Sequence, residues 1–193
     1  IAPGDPARLI AGPNATADMV ETIRREYGLD KPLPEQYVIY IGGVLRGDLG
    51  RSMVSTAPVL QELLRYFPAT VELVLVAMTL GILVGVPFGV LSALYRDGWL
   101  DHVTRVLSVS GVALPAFWFG LLLQLYFAVH LEWLSVSGRL DLTTPPPHPI
   151  THLYLVDSIL RGEWETFVEV LQHIILPAVV LSFPCLASIL RVN

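Results

Sequence analysis

An all-α protein that crosses a membrane several times is predicted by three features of this sequence. Only 15% of its 193 residues are charged, against about 25% in an ordinary soluble domain. Mean hydropathy is +0.61. The charges are also unevenly placed: residues 69–94 carry only Glu72, and residues 106–129 and 174–190 carry none. In hydrocarbon every backbone N–H and C=O needs a partner within the protein, so these apolar runs are expected as helices, the first long enough for a core of about 30 Å and the third short.

Residues 1–68 differ from the rest. "PGDP" (Pro3 to Pro6) and "GPNAT" (Gly12 to Thr16) are turn sequences. A helix is expected from Asp18, with Glu21 completing a capping box and Gly28 ending it in the left-handed region. Met19, Val20 and Ile23 form its apolar stripe. A second helix is expected over Glu35 to Leu45, with Tyr37, Tyr40, Ile41 and Leu45 on one face, and a third over Val59 to Phe67. Between them lies "RGDLGRS" (Arg46 to Ser52), whose Arg-Gly-Asp triplet reads as a chance match to an adhesion motif. The three spans follow, at 69–94, 106–129 and 174–190. The first two are joined by a short polar turn containing Trp99, and the last two by a polar segment, 131–172, with a proline run at Pro145–Pro147 and a helix expected over Leu153 to Leu160.

Orientation follows from the basic residues. Arg96 and Arg105 lie in the turn 95–105, whereas 131–172 spreads Arg139 and Arg161 over a far longer stretch with six acids. The positive-inside rule places the turn, and Arg191, in the cytoplasm. Residues 1–68 and 131–172 are then external. The sequence opens at Ile1 and closes at Asn193 just after an apolar run, so a fragment is expected, with a further helix upstream.

Several function classes are excluded. A net charge of −5 and the lack of any Lys/Arg cluster argue against nucleic acid. The single cysteine, Cys185, rules out a disulfide within the chain, and its apolar surroundings mark it as packing. The one lysine, Lys31, follows Asp30, so no phosphate-binding P-loop exists.

"GILVGVPFG" (Gly81 to Gly89) places three glycines at four-residue spacing inside the first span. In water each would cost about 1 kcal/mol against alanine. In lipid, close backbone approach drives helix association, so Ala77, Gly81, Gly85 and Gly89 are expected to form a packing strip. Every span also contains proline. Pro87, Pro115, Pro177 and Pro184 are expected to kink the helices, a feature of transport pathways more than of simple anchors.

An ordered set of motifs completes the reading: "PGDPA" (Pro3 to Ala7), "YGLDKPLPEQY" (Tyr27 to Tyr37), "RGDLGRS", "FPATVEL" (Phe67 to Leu73), "LPAFWFGLLL" (Leu114 to Leu123), "EWLSVSGR" (Glu132 to Arg139) and "HIILPAVVLSFP" (His173 to Pro184). In these the chain resembles the first of the two permeases of bacterial dipeptide/oligopeptide-type ABC importers. The resemblance implies a type I ABC permease fold, partial in 69–193, preceded by an external segment over 1–68. It implies no catalysis and no cofactor in this chain. It also implies four partners: a second permease, two ATPase subunits and an external substrate-binding protein, with the ATPase-docking loop following Leu190. Substrate would pass between the two permeases, and peptides, nickel chelates and other small solutes all stay open.

Polar residues within the spans are candidates for the translocation pathway: Ser108, Ser110 and Gln124. Each also has a plainer role in helix packing. "SVSG" occurs twice, at Ser108 and Ser135, but lacks the leading glycine of an intramembrane serine protease. His148 and His152 in the external segment have no carboxylate or cysteine pattern around them, so no metal site is expected. A channel or secondary carrier would explain the hydropathy equally well, but not the ordered motifs.

Overall fold

The computed structural model describes residues 5–191 except 13, 53, 54 and 56, with residue 112 described by its backbone only. Among the described residues the regular structure is helical, apart from an isolated antiparallel bridge between Arg51 and Pro58, as the all-α expectation requires. The chain divides into two compact units, one through Tyr66 and one from Phe67.

In the first unit α1 (Pro6–Ala11) is capped by Asp5, whose Oδ1 accepts from the Ala7 N–H at 3.1 Å. Arg24 of α2 (Ala17–Glu26) forms ion pairs with Asp5 and Glu21, tying the two helices. The cap of α2 is not Asp18. Thr16, in extended conformation, takes that role through Oγ1, which accepts from the Met19 N–H at 3.4 Å; Ala17 is a strong enough helix former to start the helix one residue later. Its end is a Schellman motif. Gly28 has φ 63°, its N–H donates to the Arg25 carbonyl at 3.2 Å, and the Leu29 N–H reaches the Arg24 carbonyl at 2.8 Å.

The next helix, α3 (Leu33–Leu45), starts two residues before the expected Glu35, because Pro34 falls in the first turn, where its missing N–H has no intrahelical role. "RGDLGRS" is a built turn. Asp48 Oδ1 accepts from the Gly50 N–H at 3.0 Å, and the Val59 N–H donates to the Gly50 carbonyl at 2.9 Å. These bonds return the chain to the start of α4 and explain the motif without a recognition role.

The expected third helix and first span are one element, α4 (Val59–Leu94), running unbroken through Pro68 and Pro87. Proline removes one backbone bond and crowds the carbonyl four residues before it. The helix continues through both prolines despite that loss. With 36 residues, α4 is about 54 Å long, more than a hydrocarbon core needs.

The expected continuous span over 106–129 is two helices, α5 (Trp99–Ala113) and α6 (Ala116–Leu123), the latter continuing in a π-helical turn over Gln124–His130. Leu114 is extended (φ −78°, ψ 128°), the conformation a residue before proline prefers, and the two arms are bent by 110°. The third span is longer than expected. After α7 (Tyr154–Arg161), α8 runs from Trp164 to Arg191 through Pro177 and Pro184. Pro115 alone of the four expected kink prolines ends a helix. Among the described residues two helices, α4 and α8, are long and apolar enough to cross a membrane, and the bent pair α5–α6 adds a third apolar stretch.

Within the second unit α5, α6 and α7 all pack on α8. A Cβ built on Gly81 would lie 3.1 Å from Cys185 Cβ, and one on Gly85 3.0 Å from Ile189 Cδ1, so α4 lies against α8 along this face. Ala77, Gly81, Gly85 and Gly89 are all buried. The closest approach is elsewhere: a Cβ on Gly111 of α5 would stand 2.6 Å from Ala187 Cβ and 3.2 Å from the Phe183 carbonyl oxygen. Phe119 of α6 packs on Phe183 with ring centroids 5.1 Å apart.

Candidate functional site

Two polar clusters hold the ends of these helices. At the α4–α5 turn, Asp101 accepts from Ser92 Oγ (3.0 Å), the Asp97 N–H (3.2 Å) and Arg105 (2.9 Å), and Ser92 and Thr104 share a bond of 2.9 Å. Every polar partner here is satisfied locally, so the cluster fixes the turn.

The opposite end is organised by Glu72, a carboxylate 3% exposed in an otherwise apolar stretch. A buried charge needs both a counter-charge and hydrogen bonds. Oε2 takes Arg139 Nη2 at 2.7 Å, and Oε1 takes the Leu155 N–H at 2.6 Å. Leu155 lies in the first turn of α7, which has no cap from its own N-terminal residues. Glu72 therefore caps α7 from a different helix, placing negative charge at the positive end of its dipole. The Arg139 guanidinium lies over the Tyr154 ring, 3.5 Å from its centroid.

His173, near the start of the apolar part of α8, is 6% exposed. Its Nδ1 lies 2.8 Å from the Glu169 carbonyl oxygen, which only accepts, so Nδ1 carries the hydrogen. Nε2 faces Asp141 Oδ1 at 3.6 Å. Asp141 in turn donates its N–H to Glu169 Oε1 at 2.7 Å.

The segment between α6 and α8 is also held from within. Asp157 is fully buried and accepts from the N–H groups of Ile150 (3.2 Å), Thr151 (2.8 Å) and His152 (3.1 Å) and from the Thr151 hydroxyl (2.7 Å). Burial pushes its carboxyl up, but these bonds, led by the Thr151 hydroxyl, outweigh burial and hold it below its ordinary value. A folded-state pKa below the unfolded one gives stability that is complete above the ordinary carboxylate range and is lost as pH falls through the folded value. Hydrogen exchange should therefore show the Thr151 and His152 amides equally protected at about pH 7 and pH 5, with protection falling below about pH 4. In Asp157→Asn, with one acceptor oxygen in place of two, protection should be reduced at every pH. Unchanged protection in that variant would show that the carboxylate does not hold the segment.

Two adjoining cavities open beside these clusters. The smaller, about 200 Å³, lies between α4, Gly138–Arg139 and α8. The larger, about 670 Å³, is walled by α6, residues 135–138 and α8, with Phe117, Leu121 and Leu176 among its apolar surfaces. Gly138, His173 and Pro177 line both.

The sequence candidates fall in different places. Gln124 lines the larger cavity, where Nε2 donates to the Val136 carbonyl at 2.6 Å. Ser108 is buried between helices, its hydroxyl 3.3 Å from the Ala187 carbonyl oxygen. Ser110 is half-buried on α5, two residues further on, and lines neither cavity. His148 and His152 are exposed and join no cluster able to hold a metal among the described residues. The sequence reading noted Glu72 and Arg139 only as charges and missed their pairing. A single carboxylate in an apolar span was the available signal, since such a group must find a partner.

Residues 85–193 match the binding-protein-dependent transport system inner membrane component family, and residues 1–74 match the N-terminal part of the same membrane component. The chain belongs to this family of inner-membrane transport components. Over 98% of its length it is 47% identical to the probable D,D-dipeptide transport system permease protein DdpB of Escherichia coli. It is 39% identical, over 99%, to the dipeptide transport system permease protein DppB of the same organism. Over 70% of its length it is 46% identical to the glutathione transport system permease protein GsiC of Pectobacterium atrosepticum. The chain covers 56%, 57% and 44% of those relatives respectively, so it spans about half their length. Family membership agrees with a helical, multi-pass, non-enzymatic membrane component.

Proposed function

We propose that this chain is part of the membrane-spanning subunit of an ATP-driven importer, forming half of a pathway for peptides or similar small solutes delivered by a binding protein. The observation that carries this reading is the match to both family segments in their proper order, with relatives named for peptide transport aligned over nearly the whole chain. The partners are a second permease, two ATPase subunits and the external binding protein. Exposed apolar side chains support a setting among lipid and neighbouring subunits: Leu83 on α4 is 65% exposed and Phe117 on α6 74%. Residues 69–193 form part of the type I transmembrane domain. Residues 1–68 and 131–172 lie on the external side, where the binding protein docks. Gln124, Ser108 and Ser110 belong to the helices that surround the pathway, with Gln124 the one that reaches a cavity.

The test is reconstitution of the complete subunit in liposomes. Alone it should hydrolyse no ATP, since this reading assigns hydrolysis to the two ATPase partners and residues 1–193 carry no phosphate-binding P-loop. With its sister permease and both ATPase subunits, hydrolysis should appear and rise several-fold when liganded binding protein is added on the side of segments 1–68 and 131–172. A binding protein that prefers one permease conformation shifts the population toward it, and the ATPase pair responds to that shift. Solute flux through the subunit alone, without ATP, would establish a channel or secondary carrier instead.

A further inference from the structure

We propose that Arg139 binds the carboxylate of the transported solute, and that the solute occupies the two cavities that meet at Gly138, His173 and Pro177. The inference rests on the importer reading above and names the part of the solute this subunit recognises. Arg139 lines the smaller cavity with 30% of its side chain exposed. Of its five N–H donors, only Nη2 is bonded to a protein acceptor, Glu72, among the described residues. Tyr154 covers one face of the guanidinium and Glu72 holds one edge, so the group is fixed in place before any ligand arrives. The remaining N–H groups have no protein acceptor among the described residues, and the side chain lines a cleft whose other surfaces include Ala69, Leu73, Val170 and Ile174; a guanidinium so placed can take a carboxylate through two parallel bonds.

The neighbouring cavity suits the rest of a short peptide. Its volume of about 670 Å³ falls within the range of small-molecule sites, which are mostly apolar with a few placed polar groups. Apolar walls from Phe117, Leu121 and Leu176 receive side chains. Gln124 spends its amide N–H on Val136, which leaves Oε1 as an acceptor for a peptide N–H. The solutes named for the three relatives, a D,D-dipeptide, a dipeptide and glutathione, all combine amide bonds with a free carboxylate.

The experiment is equilibrium binding to the assembled importer in lipid nanodiscs, with no binding protein present. The probes are an equimolar mixture of alanyl dipeptides and the same mixture with C-terminal amides, quantified by mass spectrometry. The wild-type complex should retain acids at least tenfold over amides. In the double variant Glu72→Gln/Arg139→Met, which removes both charges together, that preference should fall to within about twofold. The variant's thermal midpoint should stay near wild type, because a buried pair replaced as a pair leaves no lone charge. Equal retention of acids and amides by wild type, or retention of neither, would overturn the proposal even if the variant failed to assemble. So would a folded double variant that still preferred acids. Failure of the importer reading would show separately, as no ATP-dependent uptake by wild type whatever the acid-to-amide ratio.

Discussion

Gly111→Ala is expected to be among the most destabilising single-methyl changes in the molecule. The added Cβ would stand 2.6 Å from Ala187 Cβ and 3.2 Å from the Phe183 carbonyl oxygen. Neither neighbour is the end of a flexible side chain, so α5 and α8 must separate. Overpacking of this kind costs roughly 1–3 kcal/mol, and the absence of any rotamer escape places Gly111→Ala at the upper end. The loss should appear as a lower thermal midpoint of the complete subunit in detergent. Ala187→Gly in the same background should recover much of it, by removing the atom that clashes. Gly120→Ala provides the contrast, since its Cβ would meet the two Val180 methyls at an ordinary 3.5 and 3.9 Å; it should stay within about 0.5 kcal/mol of wild type. Equal midpoints for Gly111→Ala and Gly120→Ala would mean that α5 and α8 do not approach as described.

Glu72→Leu should have a comparable effect by a different route. It removes the partner of Arg139 and the acceptor of the Leu155 N–H together, and so leaves a half-buried guanidinium unpaired and α7 without its cap. Breaking a buried ion pair costs about 3–5 kcal/mol; Arg139 keeps 30% of its side chain accessible, which places the loss near 3. Residues 139–163 should become sensitive to protease while the α4–α8 contact persists. Glu72→Gln should cost less, because its amide oxygen still accepts from Leu155. Wild-type protease resistance in Glu72→Leu would show that the carboxylate does not anchor α7.

Much of the helical arrangement is legible in the sequence because its causes are local. Long uncharged runs, the Gly28 helix end and the four-residue spacing of Ala77, Gly81, Gly85 and Gly89 each depend on neighbouring residues alone. Where proline interrupts a helix was not legible in this way. Helices α4 and α8 run unbroken through Pro68, Pro87, Pro177 and Pro184, whereas at Pro115 the residue before it turns extended and the chain bends. The candidate site was less legible, because its parts come from distant segments: Glu72 from α4, Arg139 from a loop, Tyr154 and Leu155 from α7, and His173 from α8.

By itself the sequence determined that this protein is helical, that it lives in a membrane, and which family it belongs to. Burial of apolar runs and the need to satisfy backbone groups in lipid act on each segment separately, so they can be read one segment at a time. The tertiary structure decided which small residues meet. Gly111 is an isolated glycine in "SVSG", and only the position of Ala187 on α8 makes it indispensable. It also decided that Glu72 caps α7 and holds Arg139 at the edge of a cavity. A buried charge must be paired, but which distant partner meets it is set by the packing of helices around α8, a property of the whole fold that no local pattern encodes.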